Sequence, residues 1–204
     1  MGSPDNAPIA LYKATVTKRL HNETTIVGPD SMPIYTCKTP MWRLKGADVT
    51  MYRGASTSGP VIGTCRASAS SNKIRLSLGD PEDSNVSWEA MRRTTYLKNS
   101  EFSLSIELQA WNTRRQFTWK TTHDVDGKLA KLDTLHLKLV ADDTQNVVAR
   151  FIHDSRNRLG WATEGTFEIL QDLGGEEWVQ VVTLSCLGLL MNIQRTGQSG
   201  YFPF

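Results

Sequence analysis

The stretch EEWVQVVTLSCLGLLMNIQR, residues 176–195, decides what kind of molecule this chain is. Glu176 and Glu177 favour the N-terminal end of a helix, where negative charge complements the helix dipole, and Arg195 suits the C-terminal end. Over residues 178–193, eleven of sixteen side chains are apolar and none is charged. The four polar residues in between scatter around the helix axis. The sequence therefore predicts a helix with no side that faces solvent.

A helix that is apolar all round lies either in a bilayer or inside a protein. A membrane span needs about 20 predominantly apolar residues. The uncharged stretch 178–193 has only sixteen residues, of which four are polar and one is glycine. Neither end carries the Lys and Arg cluster that flanks many spans. We therefore expect no transmembrane segment, and we place a central helix of about 175–195 inside a folded domain.

The sequence before this helix has the pattern of short strands. Ten segments alternate apolar and polar residues or are rich in β-branched residues. Gly, Pro, Asn and Asp in the intervening loops favour hairpin turns, and this spacing favours a closed barrel or a sandwich over an α/β sheet. Residues 88–100 fit either a strand or a short helix. The ten predicted strands are 9–17, 33–39, 48–53, 61–68, 73–78, 102–108, 115–122, 135–140, 147–153 and 165–170.

Composition and helix together predict one mainly β domain over residues 1–204. The chain is 39% hydrophobic and 22% charged, which is typical of a soluble globular protein. A barrel of about ten strands has an interior that must be filled, and a helix about 10 Å across is a suitable plug. We therefore predict a closed β-barrel that encloses the hydrophobic C-terminal α-helix. Residues 1–40 are either part of this barrel or a peripheral N-terminal extension.

The cysteine content indicates the cellular compartment of the protein, and its charge distribution indicates the kinds of binding partner. The three cysteines form no CxxC pair and their number is odd, which favours a reducing, cytoplasmic environment. The net charge of +2 is too small to predict nucleic-acid binding. Residues 1–79, however, hold ten Lys and Arg against four Asp and Glu, an excess of six. Such a basic half is compatible with an anionic partner such as a lipid headgroup.

No catalytic motif is present, since the chain has no P-loop, GxGxxG, GxSxG or HExxH sequence. We therefore lean toward a non-catalytic protein and expect no cofactor. HDVDGK at 123–128 starts like a calcium loop but lacks the later oxygen ligands, so an Asp-Gly hairpin turn is the better interpretation. The histidines are too dispersed to predict a metal site, and His136 on an alternating strand is interpreted as structural. The four histidines are His21, His123, His136 and His153.

The most plausible anion site comprises two arginine pairs and two lysines. Residues 88–120 hold six positive charges against three negative charges. Arginine and lysine side chains bind the phosphates of an inositol lipid. Adjacent residues on a strand point to opposite faces, so at most one arginine of each pair faces a given ligand, and exposed arginines that protect a sheet are the alternative. The six candidate residues are Arg92, Arg93, Lys98, Arg114, Arg115 and Lys120.

Three segments resemble the tubby C-terminal-like family, which comprises tubby proteins, phospholipid scramblases and LURP-one-related proteins. They are RQFTWK (115–120), VVARFIHDSRNRLGWATEGTFEIL (147–170) and GGEEWVQVVTLSCLGLLMNIQR (174–195). The resemblance covers about residues 40–195. Within the family, the chain is most similar to the compact single-domain members found in fungi. The resemblance implies an antiparallel barrel of about 10–12 strands and phosphoinositide binding by basic surface residues. A scramblase-like calcium segment, proline-rich N-terminus and cysteine cluster have no counterpart here.

Two function classes follow. The first is a cytoplasmic module, peripheral at a membrane, that binds an anionic phosphoinositide or a protein partner in stress or defence signalling. The second is a small-molecule-binding or catalytic barrel with a pocket at its mouth. A contiguous basic surface favours the first class, and a pocket with convergent polar groups favours the second. Aromatic residues expected at such a mouth are Trp42, Trp88, Trp111, Trp119 and Trp161.

Overall fold

In this computed structural model, the described residues form a closed β-barrel, a two-stranded sheet and one α-helix. The helix, α1, spans Gly175–Arg195. The strands are β1 Ala10–Lys18, β2 Glu23–Val27, β3 Pro33–Lys38, β4 Val49–Arg53, β5 Val61–Ala67, β6 Lys73–Leu78, β7 Trp88–Arg93, β8 Phe102–Ile106, β9 Arg115–Thr122, β10 Asp124–Val125, β11 Lys128–Leu129, β12 His136–Ala141, β13 Val147–His153 and β14 Gly165–Ile169. The residues that the structure describes are 7–18, 23–39, 48–67, 73–94, 101–122, 124–125, 128–129, 136–154 and 164–195.

Twelve strands close the barrel in the order β1-β14-β13-β12-β9-β8-β7-β6-β5-β4-β3-β2, and every neighbouring pair is antiparallel. This confirms the predicted fold class. All ten predicted strands are present, and the ambiguous segment 88–100 supplies β7. The remaining strand, β2, was not predicted. The small β10–β11 pair flanks residues 126–127, as expected for a hairpin there.

The N-terminal strand closes the barrel. Ala14 on β1 pairs with Gly165 on β14 and, on the other side, with Ile26 on β2. β2 continues the sheet to β3. The described part of residues 1–40 therefore forms three strands of the barrel.

Helix α1 is buried on all sides, as its sequence predicts. Every residue from Trp178 to Leu190 is buried, and Trp178 is among the largest fully buried side chains. Asp172 Oδ1 accepts hydrogen bonds from the backbone N–H groups of Gly174 and Gly175, at 3.1 and 2.7 Å, at the start of the helix. In the described part of the chain, no helix is long and apolar enough to cross a membrane.

Two polar side chains of α1 behave differently in the core. Trp119 Nε1 on β9 donates a 3.0 Å hydrogen bond to Ser185 Oγ, and this hydroxyl lies 3.3 Å from the Val182 carbonyl. The buried Ser185 hydroxyl is thus bonded both to a strand of the barrel and to a carbonyl of its own helix. Thr183 Oγ1, in contrast, is buried and has no hydrogen-bond partner in the described part of the chain. Such a group costs about 1–3 kcal/mol.

A glycine lets the helix approach β5 closely. A Cβ atom at Gly188 would overlap with Cys65 Sγ, and Ile74 Cγ2 would lie 3.4 Å away. On the facing strand, a Cβ atom at Gly63 would lie 3.1 Å from Leu184 Cδ2. Helix and sheet are therefore in contact through positions where one extra methyl group has no space.

We expect Gly188→Ala to lower the free energy of unfolding by about 1–3 kcal/mol, because the added methyl group overpacks the core against Cys65. Cys65→Ala removes the clashing sulfur atom. The double variant Cys65→Ala/Gly188→Ala should therefore be more stable than Gly188→Ala alone, with a coupling of about 0.5–3 kcal/mol. Urea denaturation of the four proteins measures these differences.

Additive losses in the double variant would contradict this close packing of Gly188 on Cys65. As a more severe change, Gly188→Arg places a charge inside the barrel and should prevent soluble folding altogether.

Candidate functional site

Arg114, one of the predicted anion-binding residues, is engaged in an ion pair. Its Nη1 lies 2.6 Å from Glu89 Oε2, and its Nη2 lies 2.9 Å from Glu89 Oε1. Nη1 also donates to the Ser105 carbonyl at 3.0 Å. The hydrogen bonds to Glu89 raise the pKa of Arg114. This two-pronged pair joins the segment before β9 to β7, so the guanidinium has a structural partner.

Arg115 and Lys120 on β9 are also paired. Arg115 Nη2 lies 3.2 Å from Asp143 Oδ2, and its guanidinium lies 5.3 Å from the Trp111 ring centroid. Lys120 Nζ lies 3.6 Å from Glu101. These contacts do not assemble the predicted site, because each cation is neutralised by a carboxylate of its own.

The other arginine pair divides between two faces of β7, as strand alternation predicts. Arg92 is exposed on the outer face of the barrel. Arg93 follows the parity of Met91, which is fully buried in the core. Lys98 lies outside the described residues. Of the five candidates within the described residues, Arg92 is therefore the one that the structure places on a basic outer surface.

Arg92 belongs to a group of four cations on three adjacent strands, which we call the basic patch. Arg66 on β5 lies directly opposite Arg75 on β6, and Lys73 on β6 lies directly opposite Arg92 on β7. The residues next to these cations along the three strands point inward and are fully buried. These inward residues are Cys65, Ile74 and Met91. The basic patch, Arg66, Lys73, Arg75 and Arg92, is therefore on the outside of the barrel.

The charge arrangement of the basic patch is unfavourable for stability alone. Like charges directly opposite each other on neighbouring strands destabilise a sheet, and the patch contains two such pairs. Within the described part of the chain, Arg66, Arg75 and Arg92 make no ion pair with Asp or Glu. Three guanidinium groups are thus available to an external anion.

Trp88 organises the patch. The guanidinium carbons of Arg66 and Arg75 lie 4.9 and 5.0 Å from its ring centroid, within cation–π distance. Trp88 itself lies opposite Ser77 on β6, whose hydroxyl shares a buried 3.0 Å hydrogen bond with Thr64. The ring therefore holds two like charges on one surface, while the guanidinium N–H groups keep their capacity to bind an anion.

Small side chains border the basic patch. Ala90 lies opposite Arg75, and Ser105 lies opposite Ala90 on the next strand. Ser103 occupies the position opposite Arg92. A ligand at the patch therefore meets short side chains rather than bulky ones on the β8 side.

A cleft of about 750 Å³ opens at the barrel mouth, where α1 begins. Its charged lining is mostly acidic. Glu176 is the centre of a local network, since it lies 2.6 Å from Arg53 Nη1 and accepts a 3.2 Å hydrogen bond from Gln180. Burial and the Glu176 carboxylate raise the pKa of the Tyr35 hydroxyl. The charged residues that line the cleft are Arg53, Glu89, Glu107, Glu176 and Glu177.

The described tryptophans do not line this mouth cleft. Trp88 is on the outer face, and Trp119 is in the core against α1. Trp111 stacks near Trp178 and Phe117, with centroid distances of 6.1 and 5.8 Å. Trp42 and Trp161 lie outside the described residues. The aromatic residues thus pack the core or support the basic patch.

Cysteine and metal-binding chemistry give no further site in the described part of the chain. Cys37, Cys65 and Cys186 are free and buried. Burial raises the pKa of Cys37 to about 12 and that of Cys186 well above its usual value, so these thiols stay neutral and serve as packing residues. The described residues contain no group of three or more His, Cys, Asp or Glu side chains that suits a metal ion.

Comparison with known families assigns the chain. A family model described as a family of unknown function, DUF6593, matches residues 19–189 of the 204. The chain belongs to the DUF6593 family. No curated protein and no solved structure matches it. The match includes the basic patch and most of α1, whereas β1, which closes the barrel of this DUF6593 protein, lies before residue 19.

Sequence reasoning missed three of the four patch residues for an identifiable reason. Arg66, Lys73 and Arg75 lie in residues 1–79, which carry the excess of positive charge, whereas the predicted site lies in residues 88–120. The alternation K-I-R over 73–75 places two cations on one strand face, and this signal is readable in the DUF6593 sequence. Their juxtaposition with Arg66 and Arg92 requires the strand register.

We expect Arg92→Gln to raise the free energy of unfolding by about 0.2–1 kcal/mol at low salt, because it removes a like-charge pair with Lys73. Arg114→Gln is the matched comparison. It breaks the pair with Glu89 and should lower the free energy of unfolding by about 0.5–1 kcal/mol. Urea denaturation at low ionic strength measures both changes, and added salt should reduce both.

If Arg92→Gln destabilises the protein as much as Arg114→Gln does, then Arg92 has a stabilising partner and the patch is not an open cationic surface.

Proposed function

We propose that this DUF6593 protein is a non-catalytic module that binds the phosphate groups of an anionic phosphoinositide lipid through the basic patch. The single observation that carries this proposal is a set of three arginines that have no carboxylate partner in the described part of the chain, two of which contact Trp88. Like charges so placed reduce stability, and a bound anion offsets this repulsion. A functional ligand therefore accounts for the arrangement.

Phosphate is the anion that the patch suits best. Guanidinium groups donate two parallel hydrogen bonds to phosphate oxygens, and three of the four patch cations are arginines. Near an anionic membrane each such charge contributes about 1 kcal/mol. Four charges on three neighbouring strands, about 4.8 Å apart from strand to strand, form a compact site rather than a diffuse basic surface.

Trp88 supports a membrane-associated ligand. Its indole is half-buried and lies within cation–π distance of the guanidinium groups of Arg66 and Arg75. Tryptophan favours the boundary between water and lipid because its ring is both apolar and polar. The tubby-like resemblance, which led us to expect a helix-filled barrel with a basic surface, supports the same ligand class. In this proposal the protein acts on the cytoplasmic side of a membrane, peripherally and within a signalling process.

The mouth cleft supports a second candidate function, the binding of a small molecule. Its volume of about 750 Å³ is typical of ligand sites. Four glutamates and one arginine line it, so it suits a neutral or cationic molecule and is unsuited to phosphate. The lipid phosphates are therefore not proposed to bind in this cleft.

Vesicle flotation tests the main proposal with two variants of equal charge. The patch variant, Arg66→Gln/Arg75→Gln/Arg92→Gln, removes the three guanidinium groups without ion pairs. The control, Arg114→Gln/Arg115→Gln/Lys120→Gln, also removes three positive charges but from paired residues. On vesicles that contain an inositol bisphosphate lipid, the patch variant should lose on the order of a hundredfold in affinity, whereas the control should bind as the natural protein does.

Equal recovery on vesicles of neutral lipid, or recovery on neither vesicle, would sink the lipid proposal. Equal losses in the two variants would show that net charge rather than the patch determines binding. Circular dichroism melting of each variant confirms that it is folded.

A further inference from the structure

Two of the four glutamates that line the mouth cleft are already neutralised by the protein itself. Glu89 accepts two hydrogen bonds from the Arg114 guanidinium, at 2.6 and 2.9 Å. Glu176 lies 2.6 Å from Arg53 Nη1 and accepts a hydrogen bond from Gln180. These two carboxylates have partners that stabilise the fold, so no ligand is assigned to them.

The other two glutamates of the cleft, Glu107 and Glu177, have no cation of their own. Neither forms an ion pair within the described part of the chain. Glu177 Oε2 accepts one hydrogen bond, of 2.9 Å, from the backbone N–H of Gln109. Arg114 attracts Glu107 electrostatically, but both of its Nη groups donate to Glu89. A carboxylate has about four acceptor positions, so both free glutamates keep most of their hydrogen-bonding capacity.

A buried carboxamide adds a neutral acceptor to the cleft. Gln180, in the second turn of α1, lines the cleft although it is only 8% exposed. Its amide N–H groups donate to Glu176, at 3.2 Å, and to the Tyr35 hydroxyl, whereas its carbonyl oxygen accepts no hydrogen bond within the described part of the chain. Gln180 is three residues from Glu177, so the two side chains are neighbours on one side of the helix. A buried acceptor without a partner costs free energy, and a ligand that donates a hydrogen bond removes this cost.

The wall of the cleft opposite α1 is largely aliphatic. Leu76 on β6 and Ile106 at the end of β8 line it and belong to the buried core. Val61 and Leu78 also line it and are half-buried. The cleft therefore combines hydrogen-bond acceptors from α1 and the end of β8 with an apolar surface that covers the hydrocarbon part of a ligand.

Further negative charge lies beside the cleft. The turn between β6 and β7 starts and ends there, since Gly79 and Ser87 are both lining residues. This turn carries three exposed acidic residues, none of which forms an ion pair within the described part of the chain: Asp80, Glu82 and Asp83. Charge of one sign around a cleft raises the local concentration of ligands with the opposite charge.

We infer that the mouth cleft binds a small organic amine, a molecule with a protonated ammonium group on an apolar chain. This inference rests on the second candidate function, small-molecule binding in this cleft, and names the class of ligand. The ammonium group donates hydrogen bonds to the acceptors that have no cation, Glu107 and Glu177, and to the Gln180 carbonyl oxygen. The chain of the amine contacts Val61 and Leu78.

Charge and polarity favour an amine over the other small ligands. A carboxylate or phosphate would meet two carboxylates that no cation neutralises. A neutral apolar molecule would bury Glu107 and Glu177 without compensating their loss of hydration. A bare metal ion would leave the aliphatic wall without a contact, and the described residues contain no group of three or more side chains that suits a metal ion. An amine satisfies both the acceptors and the apolar wall.

NMR titration of the full chain with n-hexylamine tests the inference. The Gln109 amide resonance reports on the site directly, because this N–H group donates to Glu177, and it should shift saturably. The matched probes are 1-hexanol, which lacks the charge, methylamine, which lacks the chain, and hexanoate, which has the opposite charge. 1-Hexanol and methylamine should each bind at least about tenfold more weakly than n-hexylamine. Hexanoate should cause no saturable shift.

Variants of nearly equal shape provide the second arm. Glu107→Gln and Glu177→Gln each remove one charge but keep an acceptor, and each should weaken n-hexylamine binding by about tenfold. The control Glu82→Gln removes one charge from the same end of the barrel but outside the cleft lining. Its effect should be less than about twofold at physiological salt, because the distant charge is screened. Circular dichroism melting of each variant confirms that it is folded.

Three results would overturn the inference. Equal binding of 1-hexanol and n-hexylamine would do so while retaining small-molecule binding, and no saturable binding of any probe would reject both. Equal losses in Glu177→Gln and Glu82→Gln would show that the general charge of this end, rather than the cleft, attracts the amine. The patch variant Arg66→Gln/Arg75→Gln/Arg92→Gln should bind n-hexylamine as the natural protein does, so failure of the lipid proposal gives a different result.

Discussion

The structure depends on one constraint, the enclosure of a helix that has no polar face. Because Trp178 to Leu190 are mostly apolar and their few polar residues do not gather on one side, solvent contact on any side would expose hydrophobic surface. Twelve antiparallel strands close around this helix, so the barrel sheet has no open edge that would need protection. Gly188 and Gly63 then set how closely helix and β5 approach each other. Helix and barrel are thus two halves of one core.

A filled barrel restricts where a ligand can bind. In lipid-binding or small-molecule barrels with an open interior, the cavity itself is the site, whereas here the helix occupies that space. The surfaces available to a ligand are consequently the outer faces and the ends of the barrel. The basic patch is on the outer face of β5–β7, and the mouth cleft is at the start of α1. The core supports these surfaces and provides stability for them.

The basic patch shows how a sheet accommodates groups that do not stabilise it. Opposed pairs such as Arg66 and Arg75 repel each other, and Trp88 reduces this cost by a cation–π contact with both. Proteins retain unfavourable local arrangements mainly where function requires them. Arg114, Arg115 and Lys120 show the contrasting case, since each has a carboxylate partner and contributes to the fold.

The sequence by itself determined the helix, ten of the twelve barrel strands and the burial of α1, because periodicity and apolar content are local properties. It did not reveal β2, whose five residues, ETTIV, contain two adjacent threonines and little alternation. Only the tertiary structure shows which cations are paired with carboxylates and which lie together in the basic patch. Glu89 neutralises Arg114 from 25 residues away, and Arg66 reaches Arg75 through strand register. Strand register and barrel closure determine which charged side chains become neighbours. The number of charges along the chain does not predict these contacts.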